Sequence, residues 1–178
     1  MPEPEIEVEN RKKIYQVIEE FPGLHMREIK RRTDDMSMNL VRYHIGQLKK
    51  YDIVEEVEEG EYKRYYPKEG EKRVDFEDKR YLALLREEIP LSVVVYMLSE
   101  GEPVSHGDIK EELDIAASTL SYHLKKMRKK GLLQRDGREY WLSEPKEISN
   151  LLVKYEPPKD VIDEFIDLWE SLSLGMAF

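Results

Sequence analysis

The stretch Met36-Ser-Met-Asn-Leu-Val-Arg-Tyr-His-Ile-Gly-Gln-Leu-Lys-Lys-Tyr-Asp-Ile-Val54 returns later as Ile115-Ala-Ala-Ser-Thr-Leu-Ser-Tyr-His-Leu-Lys-Lys-Met-Arg-Lys-Lys-Gly-Leu-Leu133. The two copies lie 79 residues apart, Tyr43-His44 against Tyr122-His123. Upstream, Leu24-His-Met-Arg-Glu-Ile29 matches Val104-Ser-His-Gly-Asp-Ile109 at a separation of 80. The one-residue slip falls in the turn between, where a deletion costs least. One structural unit used twice accounts for 178 residues better than a single large domain does.

Each copy reads as helix, helix, helix, hairpin. Ile14, Val17, Ile18 and Phe21 recur at i, i+3, i+4, i+7 and form one apolar helical stripe, which Pro22-Gly23 ends. A short second helix follows, with His25 or Ser105 near its start; Ser105 and Asp108 resemble a capping box with Asp in place of Glu. After a turn at Asp34-Asp35, or Asp114, comes a third helix, entered in copy one by Ser37 as N-cap. Val41, Ile45 and Leu48, and in copy two Leu120, Leu124 and Met127, put one face of that helix inward and leave the other free. Gly131 is the residue best suited to a left-handed C-terminal cap, and Asp52 is second best at the matching place. Asp136-Gly137 lies between two short strands in copy two. In copy one, Ile53 to Val57 and Tyr62 to Tyr66 flank a longer loop, Glu58 to Glu61. The expected fold class is mainly α with small β wings (α+β). It comprises two tandem winged helix-turn-helix domains, at 9–67 and 91–143, with connecting and C-terminal helices.

Lys68 to Val74 reads as polar linker, and Phe76 to Glu88 as a helix capped by Asp75, so 68–90 joins the units. Pro90 suits the first position of the next helix. Val93-Val94-Val95 would read locally as a strand, but the repeat aligns Val94, Met97 and Leu98 with helical Ile14, Val17 and Ile18, and that alignment overrules it. Residues 144–178 read as two more helices, Pro145 to Tyr155 and Pro158 to Leu172. The last carries Val161, Phe165, Leu168, Trp169 and Leu172, an apolar stripe for docking on its own chain or for a homodimer.

The motif Ser-Thr-Leu-Ser-Tyr-His-Leu-(x)5-Lys-Gly-Leu-Leu, Ser118 to Leu133, resembles the ArsR-like branch of winged-helix transcription regulators. Copy one, Asn39 to Val54, is a looser match. The tandem arrangement is similar to archaeal regulators with two winged helices on one chain, and the resemblance spans about residues 10–67 and 91–142. It implies a third helix in the DNA major groove, a wing on the flanking backbone, double-stranded DNA as partner, and pairing through terminal helices. ArsR-like members that sense metals use cysteines; this chain has none.

A recognition helix reads bases with its N-terminal half. In copy one the outward residues are Met38, Asn39, Arg42 and Tyr43, with the N-cap Ser37 a further candidate DNA contact; Asn suits adenine and Arg suits guanine. In copy two they are Ala117, Ser118, Ser121 and Tyr122, with Thr119 beside them, small or hydroxylic, which allow close approach with little direct readout. Lys49, Lys125 and Lys126 are candidate phosphate contacts, with Arg135 and Arg138 at the second wing. Seven bases against three acids lie between His25 and Lys50, and five bases against none between Ala117 and Lys130. The Lys125–Lys130 run also complements a helix C-terminus without any ligand. Asn39 and Arg42 also suit a plain solvated face, and Tyr43 and Tyr122 the edge of the core. Wing one, with Glu55, Glu56, Glu58, Glu59 and Glu61 against Lys63 and Arg64, is expected to repel phosphate. His44 and His123, each one residue before a core position, read as packed structural histidines. Gly46 is odd inside a helix and costs ~1 kcal/mol against Ala. It serves either a close backbone approach or nothing.

Composition limits the alternatives. Lys+Arg is 29 and Asp+Glu 38, a net charge of −9, so any nucleic-acid surface is a local patch. Without Cys there is no disulfide, thiolate metal site or thiol nucleophile. The four histidines form no helical ligand pair, and neither a phosphate loop nor a nucleophile elbow is present, so no enzyme, cofactor or metal is expected. No apolar run is long enough to span a membrane and the acidic start is unlike a signal peptide, so a cytoplasmic protein is expected. Six Asn and Gln residues among many Glu and Lys suit a thermophile. The competing function is a tandem winged-helix scaffold or adaptor that binds proteins rather than DNA, which the acidic net charge and acidic first wing would suit.

Overall fold

A computed structural model describes residues 4–33 and 35–155. The repeated unit is present twice. The first runs α1 (Pro4–Glu20), β1 (Leu24–His25), α2 (Met26–Arg31), α3 (Met38–Lys50), β2 (Val54–Glu59) and β3 (Tyr62–Pro67). After α4 (Phe76–Leu85), the second runs α5 (Glu88–Glu100), β4 (Val104–Ser105), α6 (His106–Glu112), α7 (Ala117–Lys129), β5 (Leu133–Asp136) and β6 (Glu139–Leu142), and α8 (Pro145–Lys154) follows. The chain divides into two compact units between Lys79 and Arg80, inside α4. Each unit holds one antiparallel three-stranded sheet, ordered β1-β3-β2 and β4-β6-β5. The strand that precedes the second helix therefore pairs with the return strand of the wing, Leu24 with Tyr65 in one unit and Val104 with Tyr140 in the other.

The apolar spacing builds the cores. In unit one, Ile14 and Ile18 of α1, Leu24, Ile29, Val41, Ile45, Leu48, Val54 and Tyr65 form one buried cluster, with Val17 and Phe21 packed at its margin. In unit two, Val93, Val94, Leu98, Ile109, Leu120, Leu124, Met127 and Tyr140 are buried. The β-branched run Val93–Val95 is helical, because burial on the core side outweighs its local strand preference.

Helix ends follow the sequence closely. His25 and Ser105 each close a capping box, with Glu28 and Asp108 respectively. Ser37 Oγ accepts from the Leu40 amide at 3.2 Å. Ala116, its counterpart at α7, makes no side-chain cap. After α3 and α7 the chain turns through left-handed residues, Asp52 at φ 61° and Gly131 at φ 79°.

Four expectations need correction. Pro90 stands third in α5, not first, since Glu87 is the N-cap; the missing amide is still among the four that a helix start leaves without a partner. α4 stops at Leu85, short of Glu88, and Phe76 is 84% exposed rather than part of its apolar row. In wing one, β2 and β3 pair through Glu59 and Tyr62, leaving a two-residue loop, Gly60-Glu61, instead of four residues. In wing two the loop is Gly137-Arg138, one residue beyond the expected place, because Asp136 still pairs with Glu139. Gly137, at φ 56°, takes the first loop position, where a type II′ turn demands positive φ. The stripe Val161, Phe165, Leu168, Trp169 and Leu172 lies outside the described residues, as does Asp34.

Candidate nucleic-acid interface

Each third helix is held by its apolar face, which fixes the direction of the other. Val41, His44, Ile45 and Leu48 are buried on α3, and Leu120, Leu124 and Met127 on α7. The opposite face of α3 exposes Asn39, Arg42, Tyr43, Gly46 and Lys49; that of α7 exposes Ser118, Ser121, Tyr122, Lys125 and Arg128. Thr119 is half-buried. The Tyr-His pair repeats in space as in sequence. Tyr43 and Tyr122 are 45% and 63% exposed, and each ring meets the next histidine edge-on with centroids 5.1 Å apart. His44 is fully buried; burial lowers the His123 pKa from its usual value, Glu87 opposing and Lys126 assisting.

Several expected contact residues already have intramolecular partners. Ser37 uses its hydroxyl as the helix cap. Arg42 Nη1 donates to Asn39 Oδ1 at 3.2 Å, linking the two base-reading candidates one turn apart. A bidentate contact from Asn39 to adenine would use the second lone pair of that oxygen, so Arg42 can hold Asn39 in place while it reads the base. Lys49 Nζ donates to Glu56 Oε2 at 2.7 Å. Lys126 Nζ donates to both carboxylate oxygens of Glu87 at 2.7 Å. Lys125, by contrast, has no ion-pair partner among the described residues.

Wing one is less anionic than its five glutamates suggest. Glu56 also accepts from Lys63 at 2.8 Å; burial alone would raise its pKa, but the bonds from Lys49 and Lys63 hold it below the usual carboxylate value. Glu59 lies 3.3 Å from buried Arg64, whose Nη1 donates to the Gly23 carbonyl at 2.8 Å. Lys79 bonds Glu55, and Glu58 is 3.6 Å from Lys63. These carboxylates thus lie alongside cations of the same hairpin, of α3 and of α4, so the expected repulsion is largely neutralised on the spot. Burial, with Glu56 nearby, pushes the Tyr65 hydroxyl pKa up to about 12.

In wing two, Arg135 Nε donates to the Gly137 carbonyl at 2.9 Å, and its guanidinium lies 5.2 Å from the Tyr140 ring centroid. Arg138 is exposed in the loop. Beside them lies a residue the sequence reading missed. His106 Nε2 is 3.0 Å from Ser121 Oγ, across a recess of about 500 Å3 that both arginines also line. The only signal was the repeat itself, in which His106 stands opposite Met26. Among the described residues no three His, Asp or Glu side chains gather as a metal site, and no helix is long and apolar enough to cross a membrane.

Comparison with known proteins matches both units. Residues 92–135 fit the family described as bacterial regulatory protein, arsR family, and residues 8–80 fit a family described as an N-terminal HTH domain. An uncharacterized HTH-type transcriptional regulator of Methanocaldococcus jannaschii is 26% identical over 126 residues, 71% of this chain. The match spans 30% of that relative's length. Among solved structures, the mRNA-binding domain of elongation factor SelB from E. coli in complex with SECIS RNA covers 75% of this chain and 97% of its own. It does so at 17% identity and a TM-score of 0.29.

Proposed function

We propose that this chain, a tandem winged helix-turn-helix protein of ArsR-like kind, is a DNA-binding transcription regulator that selects its sites by laying α3 and α7 in the major groove. The observation that carries the reading is the exposed face of each third helix, polar or cationic and fixed by a buried opposite face. An α-helix fits the major groove, where every base pair shows a distinct pattern of donors and acceptors. The name of the Methanocaldococcus relative supports the same role.

The two units then divide the work. α3 brings Arg42 and Asn39, each able to discriminate a base by ~1–3 kcal/mol. α7 brings Ser118, Thr119 and Ser121, which let its backbone come close, with Lys125, Arg135 and Arg138 toward phosphates. Two reading heads on one chain cover a two-part site without a second subunit. A homodimer through Val161, Phe165, Leu168, Trp169 and Leu172 would double that reach; truncation after Pro157 then lowers the mass seen by light scattering, and an unchanged mass removes the dimer.

The test is selection of duplexes from a random pool, followed by fluorescence anisotropy of the winners and of scrambled duplex. The reading expects tighter binding to the selected site, with affinity falling as salt rises. Equal affinity for both, or none for either, overturns it and favours the protein-binding scaffold.

A further inference from the structure

We infer that the recess of unit two seats one backbone phosphodiester of the bound duplex, held by Ser121, Arg135 and Arg138 with His106 behind them, and that unit one has no such seat. The inference rests on the DNA-binding reading and names the contact that orients the second wing.

The chemistry of the lining points to an anion. The recess, about 500 Å3, draws its walls from α6, α7, both strands of the wing and the loop between them. Among the described residues no carboxylate lines it. Two guanidinium groups supply donors suited to phosphate oxygens. Arg135 is held at the recess, its Nε tied to the Gly137 carbonyl and its guanidinium carbon 5.2 Å from the Tyr140 ring centroid. Arg138 has no carboxylate partner among the described residues. The His106–Ser121 pair completes the set. When His106 Nε2–H donates to Ser121 Oγ across 3.0 Å, the serine hydroxyl is left to donate into the recess. An anion seated there selects that tautomer over the one in which serine donates back to histidine. His106 thus positions Ser121, and Ser121 touches the phosphate.

Unit one shows the same fold with the seat filled. The strand registers align Tyr65 with Tyr140, so Tyr62 stands where unit two has Gly137. Glycine leaves the second recess uncovered, whereas the Tyr62 ring stacks on His25, centroids 5.1 Å apart and planes 18° apart. His25 in turn accepts from the Glu28 amide through Nδ1, and its Nε2 lies 3.6 Å from the Glu28 carboxylate. An aromatic ring thus covers in unit one the place that Gly137 leaves open, although Arg42 and Lys63 stand where unit two has Ser121 and Arg138. The difference assigns backbone anchorage to wing two and leaves unit one to read bases.

The experiment uses the full chain on its selected duplex, by anisotropy across a potassium chloride series. The variants are Ser121→Ala, Arg138→Ala and Tyr62→Ala, with circular dichroism to confirm folding. Arg138→Ala should bind about tenfold more weakly and lower the salt slope by about 0.9. Ser121→Ala should weaken binding with less change of slope, and Tyr62→Ala should lower neither affinity nor slope. A scan of single methylphosphonate substitutions should find one position where the parent chain loses affinity and Arg138→Ala loses nothing further. Salt-dependent binding by the parent with Arg138→Ala and Ser121→Ala both unchanged overturns the seat while sparing DNA binding. A parent chain with no affinity for any duplex overturns the DNA reading, and the seat falls with it.

Discussion

Replacing Gly46 by alanine should stabilise unit one. The residue lies inside α3, between Met38 and Lys50, and its φ is not in the left-handed range. A Cβ built there meets nothing within 4 Å, so the methyl group costs no repacking. What remains is the propensity difference, because glycine loses more backbone freedom than alanine when a helix forms; that is about 0.5–1 kcal/mol in favour of the variant. Scanning calorimetry reads it directly. If the two units melt separately, the transition of unit one should rise by roughly 4–8 °C per kcal/mol; if they melt as one, the shift is about 2–4 °C. The same variant tests the interface, because Gly46 occupies the place of Lys125 on α7. If α3 enters the groove with its backbone against the duplex at Gly46, the variant is more stable and binds DNA more weakly. Equal affinity would place Gly46 clear of the duplex. A lowered melting temperature would mean that Gly46 is not an open site on a regular helix.

Arg42→Ala should cost about 1–3 kcal/mol on the selected duplex and relax preference at one base pair; equal loss on all duplexes would reassign Arg42 to a phosphate. Lys125→Ala should flatten the salt slope by about one, whereas Lys126→Ala should do so far less because Glu87 already holds Lys126; equal effects would contradict that assignment. Glu56→Gln releases Lys49 and Lys63 and should steepen the salt slope; an unchanged slope would mean that α3 and wing one lie away from phosphate. Burial lowers the folded pKa values of His25 and His123 below the ordinary 6.5, so the unfolded chain binds protons first on acidification. Stability should be full above pH 6.5 and fall below it. The urea midpoint at pH 5.5 should therefore lie under that at pH 7.5, and equal midpoints would refute the two histidines' burial.

Periodicity and local chemistry are legible in sequence because they depend on near neighbours. The stripes Ile14–Ile18 and Val41–Leu48, the capping residues His25, Ser37 and Ser105, and the left-handed positions Asp52 and Gly131 all stand where spacing put them. Even the helical state of Val93–Val95 was readable, although only through the repeat. The hairpin lengths were harder to read, because Glu58 and Glu59 look like loop residues until cross-strand pairing with Lys63 and Tyr62 draws them into a strand. Long-range ion pairs were illegible for a similar reason. Lys126 meets Glu87 across 39 residues, and no local pattern marks that meeting. The role of His106 is invisible in sequence because its partner Ser121 comes close only once α6 packs on α7.

Methylation interference on the selected duplex shows whether α3 and α7 enter the major groove. Methyl groups on guanine N7 protrude into the major groove, so they should block binding at guanines within each half of the site, and Arg42→Ala should abolish the block at one of them. Interference confined to adenine N3 in the minor groove, or absent from a duplex that binds tightly, would contradict major-groove entry.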